Sequence, residues 1–134
     1  MIDSSAAVRM FRPKVEDHWH SAARQGRVAM CAPTELELQF SARSRSEFQE
    51  MREQFEQLYA WQVVPEDGWS SAQRLQRDLL DAGAHRSAGV VDLLVAVTAL
   101  RHRLTVLHYD RDFDTIAKVT GQQVEWLASP GSLN

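Results

Sequence analysis

Four short β-rich runs alternate with longer helical stretches along this chain, and that alternation limits the fold more than any other feature. The runs are Val28-Ala29-Met30-Cys31, Trp61-Gln62-Val63-Val64, Leu104 to Tyr109, and Val124-Glu125-Trp126-Leu127. Each is short, continuous and bounded by Pro, Gly or charge, as strands buried on both faces tend to be. Met1-Ile2 supplies a fifth, very short run before Asp3. Between the runs the apolar spacing is helical. Phe48, Met51, Phe55, Leu58 and Tyr59 predict a helix over 46–60 with Ser46 as N-cap. Trp69, Ala72, Leu75, Leu79 and Ala82 predict one over 69–82, stopped at Gly83. Residues 93–101 are apolar nearly all round, which predicts a central buried helix with Asp92 as its N-cap. Pro33 opens a helix over 33–43, and a short helix over 112–119 ends near Thr120-Gly121. Strands alternating with helices imply an α/β domain with a parallel sheet. A chain of 134 residues has room for one such core, so residues 1–134 are expected to form a single domain.

In sheets of this kind ligands bind beyond the carboxyl ends of the strands, and there the chain places acid. Met1-Ile2 runs into Asp3. Run 28–31 leads into the stretch carrying Glu35 and Glu37. Run 104–109 leads into Asp110-Arg111-Asp112-Phe113-Asp114, and Asp92 opens the apolar helix before it. Carboxylates gathered from four distant segments repel unless something neutralises them. A divalent cation does so, and oxygen-only ligands suit Mg²⁺ or Mn²⁺.

The local sequences around these acids resemble the four acidic motifs of PIN domains, and more closely those of VapC-type toxins of bacterial toxin–antitoxin pairs. They are Met1-Ile2-Asp3-Ser4-Ser5-Ala6, Glu37 to Ala42, Val91-Asp92-Leu93-Leu94-Val95-Ala96-Val97-Thr98-Ala99, and Tyr109-Asp110-Arg111-Asp112-Phe113. The resemblance covers essentially the whole chain, with the motifs in the family's order. It implies a three-layer α/β/α sandwich around a mostly parallel five-stranded sheet. It implies a Mg²⁺- or Mn²⁺-dependent endoribonuclease that hydrolyses a phosphodiester in RNA, with transfer or ribosomal RNA as candidate targets. Carried over by position, Asp3, Glu37, Asp92 and Asp110 are the catalytic carboxylates. Asp3, Asp92, Asp110 and Asp112 hold the metal, and Ser5 orients the site. Glu35 ranks behind Glu37, and Asp114 caps or is solvated. The family further implies a small cognate antitoxin of VapB type and a homodimer. The stripe Phe48, Met51, Phe55 and Leu58 is most simply core, with part of it available as a groove for an antitoxin helix. The first strand departs from the family pattern in being unusually short.

Other features narrow the reading. Cys31 is the lone cysteine, which excludes an internal disulfide and a Cys-rich zinc site; it reads as a buried small hydrophobe. His18 and His20 do not share a helix face, so they make a poor metal pair. His102 complements the end of the central helix, and His108 reads as packed rather than as a general base. His85-Arg86 reads as a solvated loop before a helix. Trp19, Trp61, Trp69 and Trp126 are scattered, which gives no stripe for stacking bases. With no run of about 18 apolar residues and no apolar leader, a cytoplasmic protein is expected, without membrane contact. A non-catalytic PIN-like module, using the acidic pocket to bind a partner, is the main alternative. A phosphoacceptor receiver lacks its second acid after strand one, and a dinucleotide fold lacks its Gly-rich turn. The net charge of −3 excludes a basic coat. Yet without Asp3, Glu37, Asp92, Asp110 and Asp112 the chain carries 13 acidic against 15 basic residues, so its acidity is concentrated where a cation is expected.

Overall fold

The predicted runs do become strands, but shorter ones. In the computed structural model, which describes residues 1–134, the element order is α1 (Ser4–Ala7), α2 (Asp17–Arg24), β1 (Ala29–Met30), α3 (Ala32–Gln39), α4 (Arg45–Leu58), β2 (Ala60–Trp61), α5 (Gly68–Asp81), α6 (Val90–Arg101), β3 (Val106–His108), α7 (Arg111–Thr120) and β4 (Val124–Trp126). The ladders are cut short because helices begin at once. Cys31 is extended and already serves as N-cap of α3, and Asp110, two residues after β3, caps α7. Both strand pairs are parallel: β1 with β2, and β3 with β4.

Met1–Asp3 lies between these pairs and bonds to both. The Ile2 N–H donates to Ala29 O (2.7 Å), the Asp3 N–H to Leu107 O (3.0 Å), and the Leu107 N–H to Met1 O (2.8 Å). Ile2 and Leu107 form an isolated parallel bridge. Side chains then alternate as strand geometry requires. Met1, Cys31 and Val106 enter one apolar cluster, with α6 and the buried face of α7. Ile2, Met30 and Leu107 enter a second, with Met10, Val15, Tyr109 and Leu127. Both faces of β1 and β3 are therefore dry, which explains why their sequences read as continuous apolar runs, whereas β2 and β4 at the outer edges stay partly exposed.

Several boundaries differ from the periodicity for identifiable reasons. The 46–60 helix begins at Arg45, and its cap is Ser44 rather than Ser46: Ser44 Oγ accepts the Glu47 N–H (3.1 Å), and Glu47 accepts the Arg43 N–H (2.8 Å). No residue of α4 is fully buried; Met51, Phe55 and Leu58 lean on the second cluster while Phe48 stays exposed, so the stripe is a flank of the core. The cap of α6 is Gly89, not Asp92, which sits in the first turn and accepts the Gly89 N–H (2.9 Å). Helix α3 ends at Gln39, short of the expected residue 43. Run 61–64 leaves the ladder after Trp61, with Val63 exposed. Helices α1 and α2 were not anticipated: α1 is only four residues long, and α2 rests on one short stripe, Trp19, Ala22 and Ala23. Leu93 to Ala99 are all buried, as expected for the central helix, and Cys31 is fully buried. Gly121 ends α7 at φ +71°, in the left-handed region that favours glycine.

Phe113 is completely buried in the first cluster. Phe113→Ala is expected to cost about 3–5 kcal/mol, read by urea unfolding, whereas Phe48→Ala on the exposed flank should cost under about 1 kcal/mol.

A candidate acidic active site

Asp3 ends the central segment and caps α1. Its carboxylate is buried, and Oδ2 accepts both the Ser5 N–H (2.9 Å) and the Ser5 hydroxyl (2.6 Å). Ser5 Oγ in turn accepts the Tyr109 N–H (2.9 Å). One serine hydroxyl thus ties the end of the first segment to the chain leaving β3. Asp3 Oδ1 is buried and has no hydrogen-bond partner. An oxygen left this way is costly unless a cation or donor meets it.

Asp110 arrives from beyond β3 as the N-cap of α7, its Oδ1 accepting the Asp112 N–H (3.0 Å). Asp92 arrives in the first turn of α6. Helix N-termini favour negative charge, which offsets part of the cost of bringing these acids together. Glu37 is exposed on α3 and receives the Ser4 hydroxyl. Glu35 goes elsewhere: it accepts Gln39 Nε2 (3.1 Å) and lines a separate cavity with Arg52, Phe55 and Trp61. Asp114 also faces away, accepting the Trp126 indole N–H (3.1 Å). His85 and Arg86 lie in the turn before α6.

Electrostatics shows which acids share a field. Burial, then the charges of Asp3, Asp110 and Glu37, push Asp92 up to about 7 against the opposing Gly89 bond. Burial raises Asp3 most, Ser5 and Ser4 pull it back, and Glu37 adds to the rise. Asp112 is raised by burial and by Asp110. The structure therefore brings Asp3, Glu37, Asp92 and Asp110 into one field and sets Asp112 beside Asp110. It does not close them into a finished ligand set: no three His, Cys, Asp or Glu side chains converge on one point. The donors are nonetheless all oxygen, one buried oxygen lacks any partner, and the acids raise one another. Those properties fit a hard divalent cation that keeps much of its water.

Two contributors were not visible in the sequence. Ser4 reaches Glu37, and His108 Nδ1 accepts the Asp110 N–H (3.3 Å) from within the core. Polar residues beside the acids were the available signal for both. His108 is otherwise packed, against Phe113 and Trp126, as expected. His102 caps α6 and its Nε2 lies 2.8 Å from Val63 O.

Residues 1–119 match the PIN domain family. The chain belongs to that family. Among curated PIN-domain relatives, it is 36% identical over 132 residues to "Ribonuclease VapC21" of Mycobacterium tuberculosis, covering 98% of this chain and 96% of the relative. It is 36% identical over 136 residues to "Ribonuclease VapC51" of the same species, covering 100% and 96%. Among solved structures, a DNA-bound VapBC from Salmonella typhimurium superposes with TM-score 0.76 at 16% identity, covering 96% of this chain and 97% of that one. VapBC-1 from nontypeable Haemophilus influenzae gives 0.75 at 19%, covering 95% and 96%. At these identities the structural likeness establishes the PIN fold.

The raised Asp92 makes stability depend on pH. A carboxyl whose folded pKa exceeds its unfolded value binds the extra proton in the folded state. That stabilisation is complete below about 3.8 and is lost as pH rises through about 7. Without divalent cations, the melting temperature of this PIN domain is expected to fall as pH rises from about 3.8 to about 7 and to level off above that. Asp92→Asn should flatten the fall, since Asn retains an acceptor for Gly89. A slope unchanged in the variant would show that Asp92 is not its source.

Proposed function

We propose that this chain is a VapC-type endoribonuclease toxin, dependent on Mg²⁺ or Mn²⁺, that hydrolyses phosphodiester bonds in RNA. The observation that carries the reading is the mutual field of Asp3, Glu37, Asp92 and Asp110, acids from four separate segments, around a buried carboxylate oxygen without a partner. The ribonuclease names of its full-length relatives support it. So does the fold shared with VapBC structures.

Asp3, Asp92, Asp110 and Asp112 are assigned to hold the metal. When bound, such an ion lowers the pKa of water and offsets charge developing on the phosphoryl oxygens. The chain's own residues supply placement. Ser5 locks the Asp3 carboxylate in one orientation and, through Tyr109, fixes its distance from the Asp110 segment. Gly89 orients Asp92. Glu37, exposed at the rim and held by Ser4, is assigned to take the proton of the attacking water. As that water adds to phosphorus, the bond from phosphorus to one ribose oxygen breaks, and the departing oxygen takes a proton from solvent.

We further read the two strand pairs, joined through Met1–Asp3, as one five-stranded parallel sheet inside a three-layer sandwich, with residues 1–134 as a single domain. The bonds on both sides of Ile2 support this. A VapB-type antitoxin and a homodimer are part of the proposal, as is a cytoplasmic location. Exposed Leu36, Phe40 and Phe48 on α3, its C-terminal end and α4 offer apolar surface for an antitoxin segment. No helix is long and apolar enough to cross a membrane. The spacing of the acids is the one observation on the side of a non-catalytic module.

Incubation of the purified chain with total RNA tests the assignment. Cleavage is expected with Mg²⁺ or Mn²⁺ and lost with a chelator. Asp3→Asn, Asp92→Asn and Asp110→Asn should each lower it by about 100-fold or more, and Glu37→Gln by a similar order. Ser5→Ala should lower it by roughly 10- to 100-fold, as loss of a positioning contact does. Full activity in Asp3→Asn would sink the site. Absence of Mn²⁺ binding and of any thermal stabilisation by it would favour the partner-binding module.

A further inference from the structure

Beside the acidic site lies a pocket of about 460 Å³ that has only Asp110 in common with the carboxylate cluster. Arg9, Tyr109, Asp110, Arg111 and Trp126 line it, with Asn134 at its rim. Asp110 is shared with the acidic site, so an occupant of this pocket touches the reacting centre. The other residues come from α1's trailing turn, the end of β3, the start of α7 and β4. Their separation in sequence is why no stacking stripe could be read there.

The chemistry of the lining is that of a nucleotide site. The Arg9 guanidinium stands 4.9 Å over the Tyr109 ring and donates through Nη1 to Ser5 O (2.8 Å). Its Nε is buried and has no partner. Arg111 is exposed and enters none of the chain's ion pairs. Trp126 is half-buried, with its ring 5.6 Å from Tyr109 and edge-on to it. Its indole N–H is held by Asp114, and the Tyr109 hydroxyl accepts the Leu133 N–H (2.8 Å). The aromatic rings are therefore fixed before anything binds. Arg suits phosphate because its planar fork pairs with two oxygens. An aromatic face accepts any base, since every base has a π-face. The volume lies in the range of small-ligand pockets. A polyanion approaching a cluster of carboxylates also needs compensating positive charge close by, and Arg9 and Arg111 are that charge.

We propose that this pocket binds one nucleotide of single-stranded RNA next to the scissile phosphate. Arg9 and Arg111 hold its phosphate, and Trp126 packs against its base. The inference rests on the ribonuclease reading for its substrate class, and it adds the subsite that places the strand across Asp110.

The test measures binding apart from cleavage. A fluorescein-labelled single-stranded RNA of mixed sequence, about 12 nucleotides long to span such a site, is titrated with the full chain in chelator, and anisotropy is followed at several salt concentrations. Arg111→Gln lies on an exposed position and should leave the melting temperature unchanged. It should weaken binding roughly five- to tenfold and reduce the salt slope by about one, as loss of one phosphate contact predicts. Unchanged affinity and slope would overturn the proposal. A second arm needs no variant: RNA carrying 4-thiouridine is crosslinked to the wild-type chain and the attachment site mapped. Attachment at Trp126 or Tyr109 is expected, and attachment confined to other surfaces would overturn the assignment. If the wild-type chain binds through this pocket yet cleaves no RNA with Mn²⁺, the catalytic reading fails while the subsite stands. Cleavage that persists with an unaffected Arg111→Gln separates the opposite case.

Discussion

Three residues at the start of the chain hold the architecture together. Met1–Asp3 exchanges backbone hydrogen bonds with Ala29 on one side and with Leu107 on the other. Neither strand pair has more than three residues per strand, so neither is an independent structure of any stability. Joined through this segment they present dry faces to two apolar clusters. The same segment delivers Asp3 to the point where the strands end. Folding and site assembly are therefore one event here. The bonds that align the sheet also set the position of the most buried carboxylate.

That arrangement works against stability in its own neighbourhood. Acids are drawn together by packing of apolar residues just behind them: Ile2 behind Asp3, Leu93 behind Asp92, Phe113 behind Asp110 and Asp112. Hydrophobic burial supplies the driving force, and the acids pay through desolvation and mutual repulsion. Helix N-termini and the Ser5 hydroxyl recover part of it. What remains is expressed in the raised Asp92, which burial and the neighbouring acids push up to about 7.

How much of this was written plainly in the sequence depends on the range of the interaction. Helix α6 was legible because Leu93 to Ala99 are apolar on every side, which only a buried helix tolerates. The end of α7 was legible because Gly121 accepts a left-handed backbone. Caps were misplaced where two serines stood within one turn, Ser44 and Ser46, and where an acid in the first turn, Asp92, bonds back to a glycine cap, Gly89. Helix α1 left no periodicity because four residues make barely one turn. Asp3 and Asp110 stand out in the sequence as acids that follow strands, while Asp92 and Glu37 lie on helices and stand out through the motifs around them, which point to PIN domains. Glu35 and Glu37 are two apart on one helix, and the structure sends Glu35 to a different cavity. Invisible were the contacts that bridge more than a hundred residues, such as Ser5 to Tyr109. A local pattern carries no record of them. The pairing of Arg9 with Tyr109 is long-range in the same way.

The pinning of the C-terminal segment has a practical side. Tyr109 accepts the Leu133 N–H, Arg12 donates to Leu133 O, and the Leu133 side chain is buried. Asn134 consequently leaves the body at the rim of the pocket beside Asp110. Any affinity tag or fusion partner attached after Asn134 would emerge across the mouth of that pocket. Handling of the protein, as much as its chemistry, is constrained by where Leu133 is tethered.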